Sequence, residues 1–246
     1  MATQTTAAAY FQGGEINHVY SVVIPTILAV TPFASLAIGE RFSFFQTWMV
    51  TERGMIEHAT VLVAIVGFFL ALQNFRLRAA CPKPWFGPYA ILFALGFVYI
   101  VGEEMSWGQH LVGWESSEWF IQANRQQETN FHNLHQSIDR LPKSILGAAV
   151  VISGVLVPLI PGLRRLQTAS FNGHWPWLWP TPAVRTTAVL FFLVWIFDRG
   201  LVLTDLNEGE GYNLRFTELR ELLTVYFLAL YTGCLYHRLK DRENAA

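Results

Sequence analysis

Six stretches of the chain are written almost wholly in apolar residues, and the polar residues between them set the lengths of the elements. Residues 16–39, 85–102 and 144–163 contain no Asp, Glu, Lys or Arg. A bilayer core about 30 Å thick is crossed by roughly 20 apolar residues in a helix, so each of these runs predicts a span unaided. Three shorter runs, 59–75, 186–197 and 222–236, reach that length only by drawing in polar residues at their ends. The pattern predicts an all-α fold, a polytopic membrane helix bundle of about six transmembrane helices forming one integral membrane domain over 1–246. The spans fall near 17–39, 55–75, 85–105, 144–163, 182–205 and 217–237, with an amphipathic extramembrane helix between the third and fourth.

The short runs carry the most information. A full-length second span takes in Glu57 and His58, the fifth takes in Asp198, and the sixth takes in Glu221 and Glu218, while Glu103 and Glu104 close the third. A carboxylate drawn into a membrane costs several kcal/mol unless it is paired, protonated or solvated. Alternating spans put all of these acids at one face. The connections 40–54, 103–143 and 198–221, with the helix ends beside them, then hold a net charge of -7, and the opposite face holds +6. The positive-inside rule makes the second face, with Arg76, Arg78, Lys83, Arg164, Arg165, Arg185, Arg238, Lys240 and Arg242, cytoplasmic. The expectation is a bacterial cytoplasmic-membrane protein with both termini inside.

Composition agrees with the pattern: 52% of residues are hydrophobic and only 14% charged, against roughly 25% in soluble domains. No Lys or Arg precedes Arg41, so the first apolar stretch is expected to be a retained helix and not a cleaved leader. Cys81 and Cys234 suit neither a disulfide framework nor a metal motif. No basic patch points to nucleic acid, and the bilayer itself is the expected partner. The tryptophans lie near predicted helix ends, and the string HWPWLWPTP at 174–182 is expected to seat a loop in the headgroup layer.

Two polar strings stand out. If the third helix continued, Glu103, Ser106, Trp107 and His110 would share one side while Glu104 faced elsewhere. The string NRQQETNFHNLH at 124–135, read as a helix, puts Asn124, Glu128, His132, His135 and Asp139 on one stripe. Glu128, His132 and His135 are ligand types that Zn, Fe or Mn accept, with Asn and Asp as supporting partners.

The string GEEMSWGQ at 102–109, with Asn124, Gln126, Glu128, Asn130, His132 and Asn133 in the pattern N-x-Q-x-E-x-N-x-H-N, resembles a pair of motifs in uncharacterised bacterial multi-span membrane proteins. About 35 residues carry the likeness. The family pattern has Arg after the Gln, where this chain has His110. The resemblance implies a polar site at these positions and brings no activity with it.

Three functions are compatible with this pattern. The first is a metal-assisted enzyme acting on a lipid or lipid-linked substrate, with metal on Glu128, His132 and His135. Glu57, Glu103, Glu104 and Glu221 are its candidate catalytic groups, and His58, Asn124, Gln126, Asn130, Asn133, Asp198 and Glu218 its supporting ones. The second is an accessory subunit that docks a membrane protein partner. The third is a proton-coupled transporter, which suits intramembrane acids but lacks a midplane group or an inverted repeat here. The bland reading of the acids is a set of interfacial ion pairs with Arg53, Arg199, Arg215 and Arg220.

Overall fold

A computed structural model describes residues 16–38, 54–123, 129–131, 136–163, 173–203 and 216–245. Six long helices account for most of them. A wide π turn, Val19–Val23, leads into α1, Ile24–Ile38. Next come α2, Met55–Arg76, and α3, Phe86–Glu104. Helix α4, Gln136–Val151, continues through a π turn at Ile152–Leu156 to Leu159. Helix α5 is Arg185–Leu203 and α6 is Phe216–Ala245. Among the described residues, four stretches are long and apolar enough to cross a membrane: Met55–Arg76, Phe86–Glu104, Leu141–Leu159 and Trp175–Gly200.

The outward faces are apolar, as a bilayer requires. Leu62, Ile65, Val66 and Phe69 of α2 and Ile91, Leu92, Leu95 and Val98 of α3 are exposed, as are Leu193 and Ile196 of α5. Water would penalise such continuous patches, whereas lipid tails do not. The architecture is an all-α polytopic membrane bundle.

Helix α6 is the hub. It packs against α1, α2, α4 and α5, and its residues are buried almost all round from Leu222 to Leu235. At 1.5 Å per residue its 30 residues measure about 45 Å, longer than a hydrocarbon core is thick. Small residues let the other helices close on one another and on this hub. A methyl at Gly67 would come within 2.3 Å of the Phe97 ring, and one at Gly154 within 2.3 Å of the Ala188 Cβ. Polar groups tie the hub sideways: Asn74 Nδ2 donates to the Thr232 carbonyl at 3.0 Å, and the Tyr226 hydroxyl to the Tyr20 carbonyl at 2.7 Å.

The segment expected to float in the headgroup layer is instead part of the core. Trp177 is fully buried and meets Phe86 edge-on at 5.7 Å. The reason is α6, whose Arg238 is completely enclosed and donates to the Pro176 and Trp179 carbonyls. Tyr231 donates to the carbonyls of Trp177 and Leu178. The prolines leave carbonyls without helical partners, and α6 supplies the donors. Trp175, by contrast, is 43% exposed. Both cysteines are buried: Cys234 Sγ lies 3.1 Å from the Thr181 hydroxyl, and burial pushes the Cys81 thiol up to about 11, so it packs as an uncharged group.

Close packing at Gly154 generates a stability prediction. Gly154→Ala should lower the thermal midpoint of detergent-solubilised protein, because overpacking costs about 1–3 kcal/mol. Gly96→Ala, at a position where a new methyl meets nothing, should leave the midpoint unchanged or raise it.

Candidate functional site

One end of the bundle gathers charge from four helices. Glu57 opens α2, Glu104 closes α3, Lys143 lies in the second turn of α4, and Glu218 and Glu221 begin α6. Glu104 is within electrostatic reach of Glu221, Glu218, Glu57 and Lys143. Lys143 Nζ lies 2.7 Å from Glu221 Oε1, and Arg220 lies 3.4 Å from Asp198 at the far end of α5. The acids that the sequence places at one face therefore converge in space. Of the expected arginine partners, Arg220 takes Asp198, whereas Arg53 and Arg215 lie outside the described residues. Lys143 was not singled out by the sequence. Helix α4 begins at Gln136, eight residues before the uncharged run, and this added length carries the ammonium to Glu221.

Beside this end, the first polar string folds into a clasp. The helix does not continue through residue 110: α3 stops at Glu104, and Ser106, Trp107 and Gly108 take φ values of 44°, 55° and 92°. Left-handed backbone at two non-glycine residues costs on the order of 1–3 kcal/mol each, so the surroundings must hold it. They do so through Trp107, whose Nε1 donates to Glu103 Oε1 at 2.8 Å. Its ring lies so close to Gly102 that a methyl there would come within 2.9 Å. At Gly108 the positive φ is open to glycine without strain.

The second string fastens to the first. The Phe131 amide donates to Glu103 Oε2 at 2.8 Å, and the Thr129 amide to Gln109 Oε1 at 2.7 Å. Buried Asn130 donates to buried Ser106 at 3.2 Å, and Gln109 Nε2 donates to Ser116, whose hydroxyl lies 3.1 Å from that of Thr129. The expected continuous stripe from Asn124 to Asp139 is therefore interrupted. Residues 129–131 are not helical, because their amides bond to side chains of the clasp instead of to carbonyls four residues back. The described residues between α3 and α4 include the turn Ser106–Gly108 and two short helices, Gln109–Val112 and Glu118–Ala123.

Asn124, Gln126, Glu128, His132, His135 and Asn133 lie outside the described residues, as do the side chains of His110 and Asp139. His58 is exposed and sits with Nδ1 2.8 Å from the Gly54 carbonyl, at the first turn of α2. Among the described residues no three His, Cys, Asp or Glu side chains are grouped to hold a metal. The sequence did not single out Ser116 or Thr129 either. Their signal was weak, since hydroxyl residues in a polar loop are unremarkable until the fold closes it.

Comparisons with known protein families, with characterised proteins and with solved structures find no match.

The clasp is testable without knowing the function. In Glu103→Ala, hydrogen exchange at the Phe131 amide should accelerate about tenfold or more, since a bond to a charged acceptor is worth about 1.5–3 kcal/mol. Glu104→Gln, facing the other acids, should leave that amide as it was.

Proposed function

We propose that the acid end is the working site of a metal-assisted membrane enzyme acting on a lipid or lipid-linked substrate. The observation that supports this reading most is the clasp. It fastens residues 129–131, the tripeptide that separates Glu128 from His132, to the turn that follows Glu104. The carboxylates described at this end are not grouped as metal ligands by themselves, so the imidazoles of His132 and His135 with Glu128 are the donors this reading requires. Zn, Fe or Mn held there would polarise a substrate carbonyl or phosphoryl oxygen.

The chain's own groups then divide the work. Glu103, whose two oxygens accept from Trp107 and Phe131, is a positioning residue that aims the loop. Glu57 or Glu104 would complete the metal's ligand set, and another carboxylate of this end would exchange a proton with the reacting group. Lys143, 2.7 Å from Glu221, sets a positive charge among the acids. Basic residues at the opposite end make that end cytoplasmic, with both termini, in a bacterial inner membrane. Substrate would then enter from the outer leaflet.

Proton-coupled transport is the second reading, favoured by the crowding of Glu57, Glu218 and Glu221 around Glu104. One set of measurements separates the two. Elemental analysis of protein purified in mild detergent without chelator should find near-stoichiometric metal, retained in His174→Ala and lost in His132→Ala. Metal-free wild-type protein that moves protons in liposomes, with Glu57→Gln abolishing the flux, would replace the enzyme by the carrier.

A further inference from the structure

At the other end of the bundle, a recess of about 340 Å³ opens where α2 ends and α3 begins, lined by Phe75, Arg78, Lys83, Gly87 and Ile91 among others. Its position is set by two membrane-spanning helices, so it lies at the level where hydrocarbon gives way to headgroups. One wall is cationic and held in place. Arg78 NH1 donates to the Phe75 carbonyl at 2.9 Å, and its guanidinium sits 4.3 Å from the centre of the Phe75 ring. The absence of a side chain at Gly87 makes room for the arginine stem, since a methyl there would come within 3.1 Å of Arg78 Cδ. An arginine fixed through one nitrogen keeps further donors for a planar or tetrahedral anion. Lys83 lines the same space, and Arg242 from the end of α6 lies within electrostatic reach of Cys81 in the same loop.

The other wall is apolar and continuous with the membrane face. Ile91 is 42% exposed, and Leu95, one turn further along α3, is 61% exposed. A cationic rim joined to a lipid-facing stripe matches one class of ligand in both its parts. A soluble anion would use only the rim. A zwitterionic lipid would bring its own cation to two others.

We propose that this recess binds an anionic phospholipid, its phosphate against Arg78 and Lys83 and an acyl chain along Ile91 and Leu95. The site is independent of the acid end, lying at the opposite end of α2 and α3. Each cation near a membrane surface contributes about 1 kcal/mol toward an anionic lipid, which is about fivefold in binding.

Native mass spectrometry of the full chain, released from detergent containing equal phosphatidylglycerol and phosphatidylcholine, tests this. Wild-type protein should retain phosphatidylglycerol preferentially. Arg78→Gln and Lys83→Gln should each reduce the preference about fivefold. Lys240→Gln removes an exposed cation at the same end, one paired with Glu243, and should leave the preference unchanged. Helix content by circular dichroism should be the same in all four proteins, and Lys83→Gln keeps the test sound if Arg78→Gln does not fold. Equal retention of the two lipids would overturn the proposal, as would an effect of Lys240→Gln as large as that of the recess variants. Displacement of the lipid by inorganic phosphate alone would overturn the lipid as the ligand.

Discussion

Glu221 lies in the second turn of α6 with its carboxylate 2.7 Å from the ammonium of Lys143 on α4, both side chains partly withdrawn from water. An ion in that position must find its counterion on another helix, because α6 is enclosed by its neighbours and lipid offers none. The same demand recurs at its other end, where the enclosed Arg238 takes carbonyls from the segment before α5. Between these two points the helix carries no Asp, Glu, Lys or Arg. Its depth is therefore fixed by charge and its lateral position by packing, and the remaining helices take their places around it.

That arrangement gives the two ends different chemistry. At one end the starts of α2, α4 and α6 meet the close of α3, which crowds carboxylates around a lysine. At the other end the donors are cations and a hydroxyl, and the acceptors are carbonyls freed by proline. The strained turn after Glu104 belongs to the first end, and its two left-handed residues are held by an indole bonded to a buried carboxylate. Backbone strain that survives in this way is commonly found where a loop must be aimed. Here the turn is bonded to residues 129–131, in the connection whose sequence carries His132 and His135.

The helices were legible because lipid imposes a length and an apolar face, and both are written directly in the sequence. The gathering of acids was legible for a related reason: alternation of spans decides which ends meet, and Glu57, Glu104 and Glu221 follow from counting crossings. What failed to show was every feature decided by contact between distant residues. Periodicity left open whether α3 ran on past Glu104, and Trp107 turning back onto Gly102 and Glu103 ends it. The stripe from Asn124 to Asp139 assumed a helix whose amides at 129 and 131 are taken by Gln109 and Glu103. Trp177 looked interfacial by composition and is buried because Arg238, 61 positions later, needs the carbonyls around it. Lys143 was hidden by the habit of starting a span where charge stops.

Charge shared between α4 and α6 holds the acid end together, and exchanging that charge tests this most directly. Thermal unfolding in detergent should show Lys143→Glu and Glu221→Lys each destabilised, by an amount between the roughly 1 kcal/mol of an exposed pair and the roughly 3 kcal/mol of a buried one. The double exchange should recover most of the combined loss. A double variant no more stable than the sum of its parts would mean that the two residues do not meet, and the convergence of helices at this end would be wrong.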